Sequence, residues 1–185
     1  MLLRLPAGLR EDDLVGALQA VLDHHDALRL RLAGSSSGGE PALEIAAAGA
    51  VDARACLRRV DVGGIDEDSR RACITEQGQA AQMRLAPAAG VMVQAVWLDA
   101  GAAEAGRLLL TIHHLVVDGV SWRILLDDLQ AAYREQPLPA KTSAFRDWTQ
   151  RLQAYASSEP LREELHWWQT QLTGSGELPF DHPQG

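Results

Sequence analysis

Cysteine is nearly absent: Cys56 and Cys73 are the only two in 185 residues. A disulfide-stapled fold is Cys-dense and a structural zinc site needs about four clustered ligands, so neither organises this chain. Both thiols read as reduced and structural, which fits a cytoplasmic protein. Lysine is scarcer still: of 17 Lys+Arg only Lys141 is lysine, a bias that reads as GC-rich coding before it reads as function. Bases are also outnumbered, by 25 acids, for a net charge of −8. Phosphate neutralisation supplies most nucleic-acid affinity, so an acidic chain with no basic cluster is excluded from that class. No apolar run approaches the ~20 residues that span a bilayer. The opening Met1-Leu2-Leu3-Arg4-Leu5-Pro6, charged at position 4 with a proline soon after, does not read as a signal peptide.

No internal repeat is visible, and the apolar pattern alternates between period two and period 3.6, which predicts mixed α and β structure. Leu2–Pro6 reads as a short strand. From Glu11 the spacing is helical, with Leu14, Ala17, Leu18, Val21, Leu22 and His25 on one face and three acids in the first turn. At the end of that helix His24-His25 reads as a structural pair favoured by the helix dipole. Leu28, Leu30 and Leu32 alternate with Arg29 and Arg31, predicting a strand. A Gly/Ser-rich hairpin tip over 34–39 and a return strand over 41–46 follow. Leu57–Val62 reads as a strand and Asp66–Leu85 as a helix ended by Pro87 and Gly90. Residues 91–98 and 107–112 are apolar on both faces, predicting a central antiparallel pair covered on both sides. Three helices close the chain: one capped by Ser121 and running to about Glu135, one opened by Ser143 with Phe145, Trp148, Leu152 and Tyr155, and one opened by Ser158 with Leu161, Leu165, Trp168 and Leu172.

One segment stands apart: Thr111-Ile112-His113-His114-Leu115-Val116-Val117-Asp118-Gly119-Val120-Ser121-Trp122. Two histidines end an apolar strand, then come an Asp-Gly pair and a helix. Strand ends hold functional groups rigidly while the loop exposes them. Consecutive strand side chains point to opposite faces, so one histidine can enter a cavity while the other packs inward. The same divergence weighs against a shared metal ion. From the residues alone, a metal site and a pair of satisfied core histidines both remain open. Gly119 reads as the residue that lets the chain turn tightly.

His113-His114-x-x-x-Asp118-Gly119 resembles the signature of the condensation-domain superfamily of nonribosomal peptide synthetases, which share the chloramphenicol-acetyltransferase-like fold. The continuation Val120-Ser121-Trp122-Arg123-Ile124-Leu125-Leu126-Asp127-Asp128-Leu129 is most similar to the epimerisation branch, with Asp127 in place of the commoner Glu. His25-Asp26-Ala27-Leu28-Arg29 resembles an earlier family motif, and Phe145–Trp148, Trp167-Trp168 and Leu178-Pro179 are also similar. The resemblance implies an α/β fold, an α+β two-layer sandwich with a mixed, largely antiparallel sheet and helices packed on it. It implies that residues 1–173 form the N-terminal lobe of an epimerisation or condensation-type domain. Residues 174–185 are then a linker toward a C-terminal lobe that this chain lacks.

What the resemblance implies about chemistry is specific. Such a domain inverts the α-carbon of an aminoacyl or peptidyl thioester from L to D by acid/base proton transfer. His114 is the catalytic residue and His113 a structural neighbour. Asp118 is a buried carboxylate whose candidate partner is Arg29. Gly119 makes the turn, Ser121 caps the following helix and Trp122 packs the loop onto the core. No metal and no dissociable cofactor is implied; the substrate arrives on the phosphopantetheine of a peptidyl carrier domain. The second acid/base residue, a glutamate, belongs to the other lobe, so the fragment alone is expected to be inactive. The rival readings are a condensation lobe forming a peptide bond through the same His114, a free-standing acyltransferase, and a non-catalytic structural or docking lobe. An apolar channel face is expected to drive self-association.

Overall fold

The structure is a computed structural model that describes residues 1–34, 42–172 and 176. Two compact units divide it, Met1–Lys141 and Thr142–Gly185.

The first unit is built on a four-stranded sheet. Its strands are β1 (Leu2–Arg4), β4 (Leu57–Asp61), β5 (Val93–Asp99) and β6 (Arg107–Ile112), in the order β1-β6-β5-β4. β6 pairs antiparallel with both β1 and β5, whereas β4 pairs parallel with β5. The mixed, largely antiparallel sheet is therefore the expected one. β5 is central, and its residues 93–98 are all buried, as its two-faced apolar run implies.

The period-two alternation separates two cores. Val93, Ala95 and Trp97 of β5 join Leu108 and Leu110 of β6 beneath helices α1 (Glu11–His24) and α4 (Gly119–Tyr133). Val96 and Leu98 point the other way, with Val62, Ala81 and Ala100, beneath helix α3 (Glu67–Met83). Helices thus cover both faces, α1 and α4 on one and α3 on the other. The crossover from β4 through α3 to β5 is what a parallel pair requires.

α1 buries Leu14, Ala17, Leu18, Val21 and Leu22, the face read from its spacing. Asp66 caps α3 through the Ser69 N–H. A four-residue helix α2 (Ala53–Cys56), absent from the sequence reading, precedes β4, and Asp52 caps it through the Arg54 N–H. The predicted strand from Leu28 begins later. Asp26–Arg29 is a 3-10 turn, and the strand proper is β2 (Leu30–Ala33), paired antiparallel with β3 (Ala42–Ile45). The Gly/Ser-rich tip lies outside the described residues, apart from Gly34.

The second unit holds α5 (Phe145–Ala156) and α6 (Glu159–Gln171). Both helices form where the periodicity puts them, yet neither buries a residue. Phe145, Trp148, Leu152 and Tyr155 on α5, and Leu165 and Trp168 on α6, are exposed. The span assigned to a linker, 174–185, lies outside the described residues except for Gly176. Among the described residues, no helix is long and apolar enough to cross a membrane.

Candidate functional site

β6 stops at Ile112, and the chain turns through His113–Asp118 into α4. The His113 N–H donates to the Met92 carbonyl at 2.9 Å, which ties the turn to the segment entering β5. The Val116 N–H closes the turn onto the His113 carbonyl at 3.0 Å. Val117 is buried and anchors the loop in the core. Both histidines lie just past the strand rather than on it, so the turn, not the pleat, separates them. His113 is half-buried and His114 exposed.

Hydrogen bonds fix the two rings differently. His113 Nδ1 accepts the Leu115 N–H at 3.1 Å, which leaves the proton of a neutral ring on Nε2. His114 Nδ1 lies 2.6 Å from the Val117 carbonyl, which can only accept. Nδ1 of His114 therefore carries a proton, and in the neutral ring the lone pair falls to Nε2. In its neutral form an imidazole held in that tautomer on an exposed loop offers Nε2 as a general base.

The acid of the motif has a different partner from the one expected. Asp118 is exposed and caps α4: its Oδ1 accepts the Ser121 N–H at 2.7 Å and the Ser121 hydroxyl at 2.6 Å. The Ser121 hydroxyl and N–H together hold the Asp118 carboxyl below its ordinary range. The cap is thus Asp118, with Ser121 as its donor, and not Ser121 itself. Arg29 is buried but does not reach Asp118. It donates to the Leu22, Asp23 and Ala46 carbonyls and pairs with Asp26 at 2.8 Å. Satisfying the last carbonyls of α1, it clamps that helix end to the 3-10 turn and the residue following β3. Arg29 and the motif loop are therefore not joined, because α1's carbonyl end and Asp26 already take the guanidinium's donors.

Gly119 does not make the turn. It is the first residue of α4, its φ lies outside the left-handed region, and a Cβ there would meet nothing within 4 Å. Trp122 packs partly buried against the main core, as expected. Leu115, Val120 and Ile124 form an exposed apolar rim around the loop.

Sequence reasoning missed Asp128. It lies on the buried side of α4 with Leu125 and Leu129, and its Oδ2 meets His25 Nε2 at 2.7 Å. Burial pushes His25 down, against the pull of Asp128, so this histidine is held by a carboxylate rather than as an imidazolium on the helix dipole. The signal was present: an acid three residues after Leu125 falls on the apolar face. His25 also borders, with Val116, Ser121 and Ile124, a cleft against the motif loop.

A sheet covered by helices on both faces, with a histidine-bearing turn leading from its second central strand into a helix, is an arrangement shared with known proteins. The family model for the condensation domain matches residues 1–184, and the chain belongs to that family, the condensation-domain superfamily of nonribosomal peptide synthetases. It is 40% identical over 173 residues to one of the linear gramicidin synthase subunits of Brevibacillus parabrevis, covering 90% of this chain and 2% of that protein. Among solved structures it resembles the epimerization domain from the third module of tyrocidine synthetase B. The TM-score there is 0.75 at 30% identity, over 98% of this chain and 42% of that one. The first condensation domain of the calcium-dependent antibiotic synthetase shares the fold, with a TM-score of 0.70 at 19% identity over 95% of this chain and 42% of that one. The chain thus spans less than half the length of each of these relatives.

Proposed function

We propose that the chain is the N-terminal lobe, residues 1–173, of an epimerisation domain that inverts the α-carbon of a carrier-bound aminoacyl or peptidyl thioester. The observation that carries this reading is His114, an exposed residue between β6 and α4 whose Nδ1–H is held by the Val117 carbonyl, so that Nε2 is the ring nitrogen left for chemistry. A thioester carbonyl acidifies its α-carbon. The Nε2 lone pair takes the α-proton, the C–H electrons pass into the enolate, and a donor on the opposite face returns a proton with inversion. A histidine does this near neutral pH without extensive tuning. The returning donor is a glutamate of the second lobe, and the substrate arrives on the phosphopantetheine of a peptidyl carrier domain, with no metal or dissociable cofactor in the chemistry. Asp118, Ser121, Trp122 and His113 hold the loop that aims His114, and Arg29 holds the end of α1. The 30% identity to the epimerization domain of tyrocidine synthetase B supports this reading.

The test is α-proton exchange. Aminoacyl-carrier thioester in deuterated water should exchange when the chain is supplied with a separately produced second lobe, and not with the chain alone. His114→Ala should abolish it. A new amide with an acceptor thioester, and no exchange, would replace this reading with condensation.

A further inference from the structure

The cluster at the junction of α1 and α4 lies outside the acid/base machinery. His24 is the last residue of α1, His25 follows it, and Asp128 reaches them from α4. Each offers one donor atom, and these atoms all lie within 4.8 Å of one another. The adjacency that separates two histidines on a strand does not do so here. His24 is still helical and His25 extended, and their rings meet edge to face with centroids 4.9 Å apart.

Asp128 has a buried side chain, and among the described residues its only ion-pair partner is His25. Neither an arginine nor the single lysine pairs with it; Lys141 Nζ is engaged with Asp26 at 2.8 Å. A buried carboxylate with no dedicated cation is costly, and it faces two imidazoles that are partly open to solvent. That is a preorganised shortage of positive charge beside two nitrogen donors.

We propose that His24, His25 and Asp128 bind one divalent transition-metal ion of the zinc type. Two imidazole nitrogens and one carboxylate oxygen suit Zn²⁺ or Co²⁺ rather than the all-oxygen shells of Mg²⁺ or Ca²⁺, and water completes a tetrahedron. Metal–ligand bonds of about 2.0–2.2 Å put tetrahedral ligand atoms about 3.3–3.6 Å apart. The 2.7 Å His25–Asp128 pair must open slightly and the widest separation in the cluster must close, both within reach of side-chain rotation. In the metal-free state the His25 Nε2–H donates to the Asp128 carboxylate. When the ion takes that nitrogen, the proton of the neutral ring moves to Nδ1. The ion then cross-links the end of α1 to α4 behind the loop that carries His114, a stabilising link rather than a reacting centre.

The chain, stripped with EDTA, is titrated with Zn²⁺ by calorimetry. One equivalent should bind with micromolar affinity or better and raise the melting temperature. His24→Gln, partly exposed and therefore tolerable to the fold, should weaken binding at least about tenfold and remove the thermal shift. Asp128→Asn should do the same, with folding checked by circular dichroism. The double variant His113→Gln/His114→Gln should bind as the parent does, which keeps this result separate from the fate of the proposed reaction. Cobalt substitution should give the visible absorption of a four-coordinate site that His24→Gln abolishes. No saturable binding, or an equivalent lost in the His113/His114 variant and retained in His24→Gln, overturns the proposal.

Discussion

At the scale of single residues, the motif splits between chemistry and architecture. His114 is held by the Val117 carbonyl, and Val117 is itself anchored in the core. Asp118 is the clearest case, because its carboxylate takes both donors of Ser121 at the start of α4. Asp118→Ala should lower the melting temperature by a few degrees through loss of the cap, and Asp118→Asn, which keeps an oxygen acceptor, should recover most of it. Gly119 gives the opposite expectation. A methyl group there meets open space in a helical backbone, so Gly119→Ala should leave the stability unchanged or raise it, by up to about 1 kcal/mol of helix propensity. If substrate passes over that surface, the same variant loses α-proton exchange while remaining fully folded. Comparing melting curves with exchange rates separates the two effects.

At the scale of elements, most of the architecture was readable because the patterns were local. The period of α1, the alternation through β5 and β6 and the turn residues after α3 each follow from a few adjacent side chains. What was not readable depended on partners far away in sequence. By its spacing Arg29 reads as half of an alternating strand, and by resemblance as the partner of Asp118. Its real partners are carbonyls of α1 and the carboxylate of Asp26, reached because Asp26–Arg29 coils into a 3-10 turn. The cap of α4 lies three residues before the serine the sequence points to, because serine and aspartate are equally good caps and only the backbone decides between them. The histidines of α1 were legible as structural, but their carboxylate lies 103 residues away.

Two expectations belong to elements. Leu98 is fully buried in the core under α3, so Leu98→Ala should cost about 2–5 kcal/mol in urea unfolding. The helix caps also set an acid limit. Asp66 is held below the ordinary carboxylate range by the Ser69 N–H and hydroxyl, and Asp118 by the Ser121 hydroxyl and N–H. A carboxylate whose folded value is depressed contributes stability that is fully present above its unfolded value, ~3.9, and is lost as pH falls through the folded value. The urea midpoint should therefore be insensitive to these two groups between pH 7 and 5 and should fall below about pH 4. Replacing both with alanine should flatten that acid limb.

For the molecule as a whole, the exposed apolar surface matters more than net charge. Leu115, Val120 and Ile124 surround the motif loop, and the aromatic faces of α5 and α6 are open as well. Surface of this kind marks a site of association. Sedimentation velocity should show concentration-dependent self-association that Val120→Asp reduces, and a clean monomer at high concentration would count against it. The sheet order carries a last consequence, in time. β1 pairs with β6, so among the described residues its strand neighbour lies more than a hundred residues later in the chain. At translation rates of about 5–20 residues per second, that neighbour emerges about 5–20 seconds afterwards. Through that interval β1 waits without its partner strand, and the sheet closes only as synthesis reaches the loop that bears His114.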